Sequence, residues 1–181
     1  MFIKIGHTVF IINYSHQNEY PETSNYNYNY TLIRPTGTFA SATWVIKGNM
    51  INELMIFERK IMREICGATT TGDGYWGIKT DQEINDILKG QNVIGFIKKQ
   101  RLNWLGHVER KTEYNIVQKI KRWKPMSKRP IGRPKTRWED DVLEDIKSKN
   151  VSNWKKVAQN RDSWKKVVEQ ARTLYIGCSA L

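Results

Sequence analysis

Met50-Ile-Asn-Glu-Leu-Met-Ile-Phe-Glu-Arg-Lys-Ile-Met-Arg-Glu-Ile-Cys66 is the stretch whose period decides the fold class. Met50, Leu54, Phe57, Ile61 and Ile65 follow one another at spacings of four, three, four and four, which lines them along one side of an α-helix. Glu53, Glu58, Arg59, Arg63 and Glu64 are assigned to the other faces, and Gly67 can close the helix in a left-handed conformation.

The same period recurs on the C-terminal side. Gly72-Asp-Gly74 and Gly77 mark a loop, after which Thr80 and Glu83 predict a capping box for a short helix holding Ile84, Ile87 and Leu88 and ending at Gly90. Ile94, Ile97, Leu102, Trp104, Leu105 and Val108 predict a longer helix with a basic polar surface. Residues 112–123 predict another through Ile116, Val117, Ile120 and Trp123. Pro125, Pro130 and Pro134 forbid a regular helix until Thr136. There Thr136 and Glu139 suggest a second capping box, and Trp138, Val142 and Ile146 recur every four residues. Ser152 is the expected cap of a last helix bearing Trp154, Val157, Ala158, Trp164, Val168 and Ala171, with a break near Arg161-Asp162. The three tryptophans read as core anchors rather than base-stacking platforms.

On the N-terminal side, residues 2–12 are apolar and β-branched but interrupted by Lys4, Gly6 and His7. They read as a strand or as disordered, and are too short and broken for a membrane span or signal peptide. The run Asn25-Tyr-Asn-Tyr-Asn-Tyr30 is of low complexity and is expected to be unstructured. The chain has 181 residues, 39% of them hydrophobic, with a mean hydropathy of −0.62, which favours small cores over one large one. Cys66 and Cys178 with His7, His16 and His107 form no metal-ligand spacing and no disulfide framework. No metal, cofactor, small-molecule substrate or membrane is indicated, and an intracellular, reducing compartment is expected.

Charge is the strongest functional signal. Between Lys98 and Arg137 stand fourteen basic residues against Glu109 and Glu113, an excess of +12 that equals the excess of the whole chain, 30 basic over 18 acidic. A concentrated patch draws a polyanion through phosphate contact and counterion release. The candidate nucleic-acid contacts are Lys98, Lys99, Arg101, Lys119, Lys121, Arg122, Lys124, Lys128, Arg129, Gly132, Arg133, Pro134, Lys135 and Arg137. The alternative is a solvated linker that binds nothing in particular. Arg129-Pro-Ile-Gly-Arg-Pro-Lys135 is a partial AT-hook: Gly132, Arg133 and Pro134 fit a minor-groove insertion, while Ile131 replaces the first central arginine. A nuclear-localisation reading of Lys121-Arg122 with Lys128-Arg129 is equally compatible and suggests a nuclear site of action. No catalytic site assembles. His107 has no acidic or nucleophilic neighbour, and Trp138-Glu-Asp-Asp141 reads as a helix start, where the acids complement the dipole, rather than as a polymerase hairpin.

Several linked motifs carry a resemblance. Leu54-x-x-Phe-Glu-Arg-Lys-Ile61, Arg101-Leu-Asn-Trp-Leu-Gly-His-Val-Glu-Arg110, Gly132-Arg-Pro-Lys-Thr-Arg-Trp138, and Asn153-Trp154 with Arg161-Asp-x-x-Trp164 are similar, in order and spacing, to the C-terminal region of insect-type non-LTR retrotransposon polyproteins, the endonuclease-reverse transcriptases. The likeness runs from about residue 42 to about 175. It implies a basic, tryptophan-bearing tail downstream of the catalytic domains, none of whose catalytic residues has a counterpart here. Residues 1–41 do not match. The expected organisation is therefore mostly α. It comprises an unmatched, disordered segment 1–41, a helical region 42–123, a basic Pro/Gly loop 124–136, a C-terminal helical unit 137–176 and a tail 177–181. Three functions remain open: a nucleic-acid-binding fragment without catalysis of its own, one part of a working RNA-directed DNA polymerase, or an inert product of a degenerate element.

Overall fold

Most of the periodic segments fold as helices that bury one apolar stripe. In a computed structural model the described residues are 2–5, 8–11, 27, 29–70, 74–123 and 137–173, and they are mostly helical. The chain divides into two compact units, Met1–Phe39 with Asn52–Val93, and Ala40–Ile51 with Ile94–Leu181. The helical region expected over 42–123 thus contributes to both.

In the first unit, β1 (Phe2–Ile5) pairs antiparallel with β2 (Thr8–Ile11), Phe2 opposite Ile11 and Ile5 opposite Thr8. A π-helical turn, Asn29–Ile33, leads into α1 (Arg34–Gly37). The long helix α2 (Gly48–Cys66), which belongs to this unit from Asn52 on, is followed by a two-residue pairing of β3 (Thr69–Thr70) with β4 (Trp76–Gly77), then by α3 (Asp81–Ile87). Ile33, Ile61, Met62, Ile65, Ile84 and Leu88 form the core. Gly67 ends α2 at φ +66°, and Thr80 and Glu83 form the expected capping box of α3.

Two expectations are corrected here. Residues 29–41, grouped with the disordered N-terminal segment, are folded: Ile33 joins the core, and the buried Arg34 donates from Nε (3.0 Å) and Nη2 (2.5 Å) to Glu58 Oε1. Glu58, assigned to a polar face, is buried for the same reason. Its Oε2 also accepts from Val93 N–H at 2.9 Å. Burial pushes its carboxyl above the ordinary value, against the opposing pull of Arg34 and the Val93 N–H. Of the Asn/Tyr run, Asn25, Tyr26 and Tyr28 lie outside the described residues.

The second unit holds most of α4 (Val93–Glu109), then α5 (Ile116–Arg122), α6 (Trp138–Lys147), α7 (Trp154–Gln159) and α8 (Arg161–Thr173). Leu102, Leu105, Val142, Ile146, Ala158, Trp164, Val168 and Ala171 are central to its core, with Trp138 and Trp154 packed at the margin. Trp164 Nε1 donates to Leu102 O (3.0 Å) and Trp138 Nε1 to Ala42 O (2.8 Å), so each indole satisfies its polar edge as it buries its ring. The expected anchor role of the three tryptophans holds. The caps differ in detail: α6 starts after Arg137, which makes no side-chain cap bond, and α7 starts after Asn153, not Ser152, with Asn153 left-handed at φ 53°. Asparagine tolerates that region better than most residues. The break before α8 falls at Asn160, whose Oδ1 accepts from the N–H groups of Asp162 and Ser163.

Candidate nucleic-acid interface

On α4 the buried stripe runs Ile94, Ile97, Arg101, Leu105 and Val108, and not through Trp104, which is 40% exposed and stacks on His107 with ring centroids 5.6 Å apart. Arg101 is 0% exposed. Its Nη2 donates to Asp141 Oδ2 at 2.5 Å, and its Nη1 lies 3.4 Å from Asp145 Oδ2. Asp141 Oδ2 accepts in addition from Ile46 N–H at 2.9 Å. The acids of Trp138-Glu-Asp-Asp141 therefore open α6, as expected, and Asp141 is committed to the scaffold. Arg101 leaves the set of candidate contacts, because a guanidinium sealed between two carboxylates presents no donor to a phosphate.

The neighbouring cations are also matched. Lys98 pairs with Asp145 (2.8 Å) and Lys99 with Glu169 (2.7 Å). Both are only partly exposed.

Helix α5 is a different surface. Asn115 caps it by accepting from Val117 N–H, and its inward residue is Gln118, which donates to Val108 O at 2.6 Å. Ile116, Ile120 and Trp123, expected to face a core, are exposed instead. A seven-residue helix pinned through Gln118 turns its i, i+4, i+7 stripe to solvent. Lys119 is exposed, Lys121 bonds to Glu109 and lies 3.8 Å from Glu139, and Arg122 reaches Glu113 at 2.9 Å in an exposed pair. Among the described residues Lys119 and Arg137 have no carboxylate partner.

Around the end of α5 lies a cleft of about 400 Å³, lined by Lys121, Arg122 and Trp123, by Arg137 and Glu139 at the start of α6, by Glu109 and Gln118, and by Lys155 of α7. It unites three of the sequence-selected cations, Lys121, Arg122 and Arg137, and adds Lys155. Sequence reasoning missed Lys155 because it lies outside the basic segment, and only the packing of α7 brings it there. Lys98, Lys99 and Lys119 do not line the cleft. Lys124, Lys128, Arg129, Gly132, Arg133, Pro134 and Lys135, and with them the AT-hook-like centre and half of the localisation signal, lie outside the described residues. Among those residues no group of three or more His, Cys, Asp or Glu could hold a metal, and no helix is long and apolar enough to cross a membrane.

Compared with known proteins, the chain is 24% identical over 149 residues, 79% of its length, to an uncharacterised transposon-derived protein of Caenorhabditis elegans. The chain spans about half of that relative, 53% of its length. The match supports a transposon origin. No protein-family model matches, and no solved structure matches.

Proposed function

We propose that this chain is the nucleic-acid-binding C-terminal part of a retrotransposon-derived reverse transcriptase polyprotein of the non-LTR type, without polymerase or nuclease activity of its own. It binds electrostatically through residues 119–137. The observation that carries this reading is the confinement of the whole excess charge to one segment, whose last nineteen residues hold nine cations and no acid. The transposon-derived relative supports the polyprotein origin. The scaffold role of Asp141 supports the absence of catalysis, since this acid of the sequence with a polymerase-like spelling is spent on Arg101 and Ile46. Lys121-Arg122 with Lys128-Arg129 would in addition serve nuclear import.

The test is fluorescence anisotropy of the full chain with labelled duplex and single-stranded oligonucleotides over a salt series. Affinity should fall linearly on a log–log plot, with a slope of about −0.9 per phosphate neutralised on duplex and about −0.7 on single strands. Salt-independent binding, or none at low salt, overturns the reading.

A further inference from the structure

We infer that the cleft at the end of α5 seats an unpaired nucleotide of a single strand, its base stacked on Trp123 and its phosphates met by Arg122, Arg137 and Lys155. The inference rests on the reading that the chain binds nucleic acid, and adds to it a strandedness and an aromatic contact.

Trp123 is 69% exposed at the C-terminal end of α5, whereas Trp138, Trp154 and Trp164 are spent on the core. An indole held in water beside cations is the composition of single-strand grooves, where bases stack on aromatic faces and basic side chains track the backbone. The charge balance of the cleft points the same way. Lys121 sits between Glu109 and Glu139 and offsets part of their charge. Arg137 and Lys155 have no carboxylate partner among the described residues. The pair of Arg122 with Glu113 is solvent-exposed and therefore easily exchanged for a phosphate. Arg137 is placed against its helix: a cation at an N-terminus opposes the dipole, and it makes no cap bond in return. A cleft of about 400 Å³ lies toward the lower end of the roughly 300–1,000 Å³ typical of small-ligand sites. That is the scale of a single nucleotide rather than of a duplex groove. A duplex keeps its bases stacked on each other and can meet only the cations.

The experiment compares the full chain with Trp123→Ala and Trp123→Phe at one fixed salt concentration. The probes are a short single strand, an abasic strand of equal length and charge, and a matched duplex. Trp123→Ala should lose about tenfold on the single strand, as expected for one stacked base, and nothing on the abasic strand or the duplex. Trp123→Phe should recover most of the loss. Arg137→Gln with Lys155→Gln should weaken the single strand and the abasic strand alike. If all three probes bind with a steep salt dependence and Trp123→Ala changes none of them, or all equally, the stacking site is wrong and general polyanion binding stands. If no probe binds the parent chain, both readings fail.

Discussion

A guanidinium cannot leave water without a counter-charge, and Arg101 is buried only because Asp141 and Asp145 meet it from α6. Arg101→Met should therefore lower the stability of the second unit by about 3 kcal/mol, since Asp141 loses its charged partner and Asp145 keeps only Lys98. It should leave the salt dependence of nucleic-acid binding unchanged. Urea denaturation and salt titration of the same variant read the two effects, and an unchanged midpoint with a shallower slope would return Arg101 to the surface. The position was legible in part: Arg101 lies four residues from both Ile97 and Leu105, so the helical seam passes through it. Reading the seam by hydrophobicity alone transferred the place to Trp104. Glu58 repeats the lesson between Leu54 and Ile61. What no local pattern could supply was the partner, forty residues away for Arg101 and twenty-four for Glu58.

A glycine inside a helix costs about 0.5–1 kcal/mol relative to alanine, and at the scale of elements Gly106 in α4 has a packing reason. A Cβ built there would stand 2.5 Å from Trp164 Cδ1 of α8, a buried ring fixed by its bond to Leu102 O one turn earlier. Gly106→Ala should thus destabilise the second unit by about 1–3 kcal/mol, despite alanine's better helix propensity. A rise in the thermal midpoint would mean that the ring does not lie on Gly106. Residues that carry the family resemblance, Arg101, Gly106, Arg110, Trp138 and Trp164, serve here as scaffold; Arg110 donates to Ala158 O at 2.8 Å. Helix existence was readable from period and caps, as Thr80 with Glu83 illustrates. The burying face was not always readable. The stripe Ile116, Ile120 and Trp123 specifies a side of α5, but Gln118 takes the inward place through a carbonyl that the sequence does not point to.

At the scale of the whole molecule, the basic segment that carries the excess of +12 divides in two. On α4 the cations Lys98, Lys99 and Arg101 are matched by Asp145, Glu169 and Asp141, so their charge is largely spent within the fold. Residues 119–137 bring nine cations and no acid of their own. The composition of the segment was plain in the sequence, but the division between its α4 cations, paired with acids of α6 and α8, and the nine cations that follow was not. Replacing the nine cations, Lys119, Lys121, Arg122, Lys124, Lys128, Arg129, Arg133, Lys135 and Arg137, with glutamine tests this division most directly, using salt-dependent duplex binding of the variant beside the parent chain. The account predicts that the variant keeps its helical circular dichroism while most of the parent's log–log slope, about −0.9 per phosphate contacted, disappears. A variant that binds as tightly and as salt-sensitively as the parent would contradict it.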